Sequence, residues 1–286
     1  MRIINIILFF TILISCGQEK KLSPIFYEVS SDKGKAYILG SIHSSDDSIF
    51  PLPDYVMNRF YQSEEFIMEL KPIENDSWLN LKAKKEENYF LKDHVSEETY
   101  KMVFELSENL SIPQNILTSL SPLEIISFIE EYELEKVGIK NNNGIESYLR
   151  FEANRIDIKV DGFESYDELI KNIGLADPKG NEELLKDYIL NRNQIGDEAK
   201  ELLKYWKEGN EQILIGKIKD YTRNYSNLTE LLLNDRNKRM LNRIEELLIL
   251  QNQVFIAVGL GHIIGENNLI EMLKEKGYSI KRIDAT

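Results

Sequence analysis

Two short stretches decide how this 286-residue chain is read: Ala36-Tyr37-Ile38-Leu39-Gly40-Ser41-Ile42-His43 and Phe255-Ile256-Ala257-Val258-Gly259-Leu260-Gly261-His262. They match position by position, each an apolar run followed by Gly-x-x-His. A short unbroken apolar run ending in glycine is the pattern of a strand covered on both faces. The glycine lets the chain turn sharply, and open α/β sheets place their ligands at the carboxyl ends of strands. Neighbouring strands of this kind would set His43 and His262 side by side, and the chain has only three histidines.

Working outward, Ile25–Ser30 and Lys35–Gly40 flank the turn residues Ser31-Asp32-Lys33-Gly34 and predict a hairpin. Further strands are expected at Glu65–Glu69, Lys159–Phe163, Val254–Val258 and Tyr278–Ile283. Residues 76–156 read as mostly helical, with helix starts at Ser96-Glu97-Glu98 and at Ser121-Pro122-Leu123-Glu124. The charged, Leu-rich stretch from about 165 to 250 is again helical, including Leu228–Leu250, and a short helix is expected over Asn268–Lys276. Strands from both chain ends with helices between them predict a single α/β domain over residues 25–286: a central mixed β-sheet carrying a large helical insertion.

Composition agrees. Hydrophobic residues make up 42% and charged residues 29%, with 15 Gly and 7 Pro, which is globular. The net charge of −13 argues against a nucleic-acid partner, because binding a phosphate backbone needs clustered Lys and Arg. The single cysteine, Cys16, excludes an intramolecular disulfide and a thiolate zinc site. It follows Arg2 and an apolar run from Ile3 to Ile14, which as a helix spans roughly 18 Å, too short for a bilayer core of roughly 30 Å. The run fits a signal peptide over residues 1–15, and Leu13-Ile14-Ser15-Cys16 resembles a bacterial lipobox. Cys16 is then the lipidation site, residues 16–24 the tether, and the mature protein a membrane-anchored lipoprotein of the cell envelope facing the periplasm or exterior. Gly17 after the cysteine favours the outer membrane where there is one.

Glu69 and Glu164 each close an expected strand. Together with His43 and His262 they make a mixed N/O set able to hold a divalent ion such as Mn, Co, Zn or Fe, or one acid could stay free as a general base. Taken singly, each glutamate also reads as a solvated strand end. Gly40, Gly259 and Gly261 support the turns. Arg236 could fork a carboxylate of the site or of a substrate, and Asn237 could orient a ligand. The competing reading of that segment is a solvated helix face with an Asp235–Arg239 pair. Glu146, after Gly144-Ile145, is explained as an acid at a helix start, and His94 as a surface or capping residue. The sequence has no nucleophile elbow, phosphate loop or His-Glu-x-x-His motif.

The residues Tyr37 to His43 and Phe255 to Gly265, with Met68-Glu69, Gly162-Phe163-Glu164-Ser165, Trp206-x-x-Gly209-Asn210 and Arg236-Asn237 between them, resemble the TraB/GumN (TraB/PrgY/GumN) family over nearly all of 35–283. Glu146 stands where that family's pattern has Asp, Phe163 where it has Leu, and Asp235 where it has Glu. The resemblance implies a fold like erythromycin esterase and the haem-binding lipoprotein ChaN, and kinship with the Tiki metal-dependent proteases. It makes His43, Glu69, Glu164 and His262 the expected ligands or acid/base groups, with Arg236 steadying an oxyanion. The expected activity is that of a metal-dependent hydrolase, plausibly a peptidase acting on a peptide or small-molecule substrate. The alternatives are a non-catalytic haem- or peptide-binding lipoprotein, and a module docking another envelope protein through its acidic helices.

Overall fold

The computed structural model describes residues 22–72, 89–140, 144–169, 178–224, 229–250 and 253–285. The expected signal segment, Cys16, most of its tether, the expected helical stretch 76–88 and Leu228 lie outside the described residues.

Strands β1 (Phe26–Ser30) and β2 (Lys35–Ser41) form the expected hairpin, whose turn closes with the Ser31 hydroxyl accepting from the Gly34 amide at 3.2 Å. They join β3 (Glu65–Leu70), β4 (Lys159–Glu164), β5 (Gln253–Gly259) and β6 (Ser279–Arg282) in one six-stranded sheet of order β4-β3-β5-β2-β1-β6. The four strands from β4 to β2 are mutually parallel, and β1 runs antiparallel to both β2 and β6. The sheet is therefore mixed, as expected. The two matching apolar runs are its adjacent central strands, with Gly40 opposite Val258 and Ser41 opposite Gly259. Their side chains are buried from Ala36 to Ser41 and from Val254 to Val258, which is why neither run alternates. The edge strands β4 and β6 carry exposed Lys159 and Lys281, charges that discourage pairing with another chain.

Helix α1 (Asp54–Tyr61) crosses from β2 to β3 and lays Val56, Met57 and Phe60 on the sheet. The Phe60 ring meets Phe66 and Phe255 edge-on at 5.4 and 5.2 Å, and Phe26 packs 5.7 Å from Phe255, so one aromatic cluster ties three strands to the helix. Helices α2 (Glu97–Asn109), α3 (Gln114–Leu117), α4 (Pro122–Lys136) and α5 (Ile145–Arg155) lie between β3 and β4. Both expected starts are capped. Ser96 accepts from the Thr99 amide, and Ser121 forms a capping box with Glu124 behind Pro122. Helices α6 (Pro178–Glu208), α7 (Glu211–Asn224) and α8 (Asp235–Leu250) lie between β4 and β5, and α9 (Leu269–Glu275) between β5 and β6.

The insertion has a core of its own, in which Val103, Leu106, Leu117, Ile125, Ile129, Leu184 and Leu185 of α2, α3, α4 and α6 pack together. Helices α5 and α8 instead add Leu149, Ile244 and Leu248 to the core on the sheet. Trp206, at the end of α6, is fully buried against the sheet and its indole N–H donates to the Gly40 carbonyl at 2.8 Å. That bond ties the insertion to the strand end that precedes His43. Among the described residues no helix is long and apolar enough to cross a membrane.

Candidate functional site

The carboxyl ends of β2, β3, β4 and β5 lie together, and the side chains just beyond them converge. His262 sits in a single 3₁₀ turn, Leu260–His262, directly after β5 and is buried. His43, two residues after β2, is 62% exposed at its side chain. The matched motifs thus put one imidazole inside the protein and the other at the mouth of the site. Glu69 lies between them: its Oε1 is 3.6 Å from His262 Nε2, and its Oε2 is 4.0 Å from His43 Nε2. The Gly259 amide donates to Glu69 Oε2 at 2.8 Å. Gly259 is where the three meet. A methyl placed on it would lie 3.0 Å from Glu69 Oε2, 3.4 Å from His43 Nε2 and 3.7 Å from His262 Cδ2.

Arg236, on the first turn of α8, holds the acids. Its NH2 donates to Glu69 Oε1 at 2.6 Å and its Nε to Glu164 Oε1; NH1 reaches the Leu232 carbonyl at 3.1 Å and His262 Nε2 at 3.3 Å. Leu232 belongs to a π-helical turn, Glu230–Asn234, that leads into α8. Such turns often mark functional positions. The solvated-face reading of this segment fails: Arg236 and Asn237 are buried, Asp235 pairs with Lys238 at 2.9 Å, and Arg239 turns inward to Glu164 Oε2 at 3.2 Å. Amphipathic spacing could not show this, because a buried guanidinium is tolerated only where carboxylates from distant strands meet it.

Glu146, at the first turn of α5, does more than face a helix dipole. It lies 3.6 Å from His43 Nδ1 and accepts from the Ser41 hydroxyl at 3.2 Å. The Ile145 amide donates to the Ile42 carbonyl at 3.3 Å, and Gly144 packs so closely that a Cβ there would stand 2.4 Å from the His43 carbonyl oxygen. The α5 start therefore sets the His43 turn. Asn237 contacts His262 rather than an open site, with Oδ1 2.6 Å from Nδ1. Gly40 and Gly261 stand behind the turns, facing Leu260 and Ile263 and facing Leu233. His94 ends a 3₁₀ turn and stacks on Tyr89 at 4.3 Å, away from the cluster. Glu130 of α4 was not legible in the sequence, one acid among several in Glu130-Glu131-Tyr132-Glu133, yet it lies within electrostatic reach of His43.

Charge balance sets the protonation states. The protein packed on one side of the exposed His43 ring would by itself lower it, but the close contact and charge of Glu146, followed by the charges of Glu69 and Glu130, push it up to about 9. Burial alone would raise Glu69; the charge of His262 when protonated, then Arg236 and His43, hold it well below the usual carboxylate range. Protein crowded around Glu130 raises its carboxyl, a rise that the charge of His43 opposes.

Among the described residues no three His, Cys, Asp or Glu side chains form a ready metal site. The donor chemistry around Gly259 nonetheless fits a divalent ion. Two imidazoles and a carboxylate face the space at Gly259 with N···O separations of 3.6 and 4.0 Å, and an ion there would share Glu69 Oε1 and His262 Nε2 with the Arg236 guanidinium. Glu69 keeps free lone pairs beside its two hydrogen bonds. Glu164 likewise accepts one bond at each oxygen, from Arg236 and Arg239. Arg236 makes contacts within the protein through all three of its nitrogens.

Comparison with known proteins gives a matching picture. The model of the TraB/PrgY/gumN family matches residues 25–282. A metalloprotease TIKI homolog of Amphimedon queenslandica is 47% identical over 53 residues, 18% of this chain and 10% of that protein, so the chain spans only about a tenth of that relative's length. The uncharacterized protein YbaP of Shigella flexneri is 21% identical over 249 residues, covering 84% of this chain and 88% of YbaP, and YbaP of Escherichia coli (strain K12) is similar at 21% over 248 residues, covering 83% and 87%. No solved structure matches.

Proposed function

We propose, for a chain that belongs to the TraB/PrgY/gumN family, that it is a metal-dependent hydrolase of the peptidase class, held at the cell envelope by a lipid on Cys16. The observation that carries this reading is the convergence of both Gly-x-x-His imidazoles on Glu69 around Gly259. The TIKI homolog bears the name metalloprotease, and the likeness to it supports the choice of class.

In this reading His43, His262 and Glu69 hold the ion, which when bound would supply Lewis-acid polarisation and lower the pKa of water. Gly259 donates to Glu69 and Arg236 fixes its orientation, so the carboxylate keeps one position. Glu164 and Arg239 anchor Arg236 in turn. Glu146 orients His43 through Nδ1, leaving Nε2 toward the cradle. Glu164, the strand-end acid not assigned to the ion, is the group that would accept the proton of the attacking water.

The test is metal content by mass spectrometry on the chain lacking residues 1–16, wild type beside the His43→Ala/His262→Ala double variant. Near-stoichiometric Mn, Co, Zn or Fe in wild type, lost in the variant with an unchanged circular dichroism spectrum, supports the reading and directs a peptide-cleavage screen. Absence of metal after each ion is added back overturns it. Lipidation is checked separately by radiolabelled palmitate incorporation in the native host, which Cys16→Ser should abolish.

A further inference from the structure

We propose that Asn237 is a positioning residue that fixes His262 as the tautomer with its proton on Nδ1, so that Nε2 presents a lone pair to the Glu69 side of the site. The role of this nitrogen rests on the proposed function; the tautomer itself follows from hydrogen-bond chemistry alone.

The orientation of the Asn237 amide is determined at its far end. Asn237 Nδ2 donates to the Asn267 carbonyl at 2.9 Å, and a carbonyl can only accept. The other end of the amide is therefore oxygen. That oxygen lies 2.6 Å from His262 Nδ1 and can only accept in its turn, so Nδ1 carries the proton. The opposite edge of the ring gives the same answer independently. Arg236 NH1 stands 3.3 Å from His262 Nε2, and a guanidinium can only donate, so Nε2 must be the acceptor. Both rings of constraint are buried: Asn237 is 1% exposed and His262 2%.

Local structure explains how one helix achieves this. Arg236 and Asn237 are consecutive on the first turn of α8, and the two side chains grip the two nitrogens of one imidazole. Asn267 supplies its carbonyl from a left-handed conformation, φ 55°, a region that asparagine tolerates better than most residues. Asn268 follows as the cap of α9, with its Nδ2 donating to the Gly265 carbonyl at 2.6 Å. The loop after His262 is thus held at both ends while it holds Asn237. A histidine whose other nitrogen is fixed in this way keeps its lone pair at Nε2, where an incoming ligand would compete with the 3.3 Å Arg236 contact.

The experiment is a long-range ¹H–¹⁵N correlation on the ¹⁵N-histidine-labelled, metal-free chain at neutral pH, for wild type, Asn237→Asp and Asn237→Leu. Wild type should show His262 with a protonated-type Nδ1 and an unprotonated-type Nε2. Asn237→Asp keeps an acceptor at the same place and should keep Nδ1 protonated, whereas Asn237→Leu leaves only the longer 3.3 Å Arg236 contact to set the tautomer and should show both tautomers in exchange. Metal affinity, measured with one ion at a time, should fall about 10–100-fold in Asn237→Leu. A wild-type ring protonated on Nε2 alone, or an unaltered Nδ1–H pattern in Asn237→Leu, overturns the proposal. The wild-type spectrum decides even where the leucine variant fails to fold. Failure of wild type to bind metal would sink the proposed function while leaving the tautomer result intact.

Discussion

Replacing Arg236 with methionine removes one buried cation from between two buried carboxylates, and the structure says what that should cost. Arg236 is 4% exposed, and Glu69 and Glu164 are each 6% exposed. Glu164 keeps Arg239, and Glu69 keeps the Gly259 amide, but Glu69 loses its guanidinium partner. Removing one partner of a buried ion pair costs about 3–5 kcal/mol, since the remaining charge stays desolvated. We therefore expect Arg236→Met to lower unfolding stability by about 3–5 kcal/mol in urea titrations at neutral pH. Much of that loss should return in the Arg236→Met/Glu69→Gln double variant, where no orphan charge remains. The pH dependence has a definite sign. In wild type the folded Glu69 carboxyl is held below its unfolded value of 4.5, so its stabilisation is present above that pH and is lost as pH falls through the folded value. Without Arg236 one of the charges holding the carboxyl down is gone and it rises, so the gap between variant and wild type should narrow as pH falls through the range between the two folded values. Losses that add within about 0.5 kcal/mol in the double-mutant cycle, or a gap that widens on acidification, would refute the reasoning.

In metal-free protein His43 should titrate near pH 9 by NMR, against an ordinary 6.5; its pairing with Glu146 then stabilises fully below 6.5 and is lost as pH rises through about 9, and a midpoint at or below 6.5 would remove Glu146 as the cause. Gly144→Ala should push the His43 turn aside, because the new Cβ meets the His43 carbonyl oxygen at 2.4 Å; a stability loss of about 1–3 kcal/mol is expected, with a shifted His43 resonance, and an unmoved resonance would count against α5 setting that turn. Trp206→Phe leaves the Gly40 carbonyl without its indole donor and should cost about 1–3 kcal/mol in thermal or urea unfolding; a neutral result would show that the insertion does not depend on that bond.

Much of the scaffold was legible from one dimension. The apolar runs ending in Gly40 and Gly259 announced buried strands because burial on both faces removes the alternation of an exposed sheet, and they are neighbours in the parallel part of the sheet. Ser96 and Ser121 announced their helices because capping is a matter of residues three apart. Paired glycine turns also pointed to His43 and His262, and strand ends to Glu69 and Glu164. These are local signals, written within a few consecutive residues.

Tertiary structure alone decided what those groups do to one another. Nothing near Arg236 in sequence shows that it is buried, since the acids that stabilise it come 167 and 72 residues away. Asn237 was read as a group for an outside ligand and instead holds the far nitrogen of His262. Glu146 was read as a helix-start acid, and only the packing of α5 against the turn after β2 brings it to His43. Local rules fix backbone conformation, which depends on neighbours along the chain. Protonation, tautomer and the worth of a buried charge depend on neighbours in space, and those exist only once the sheet has brought the ends of four separate strands together.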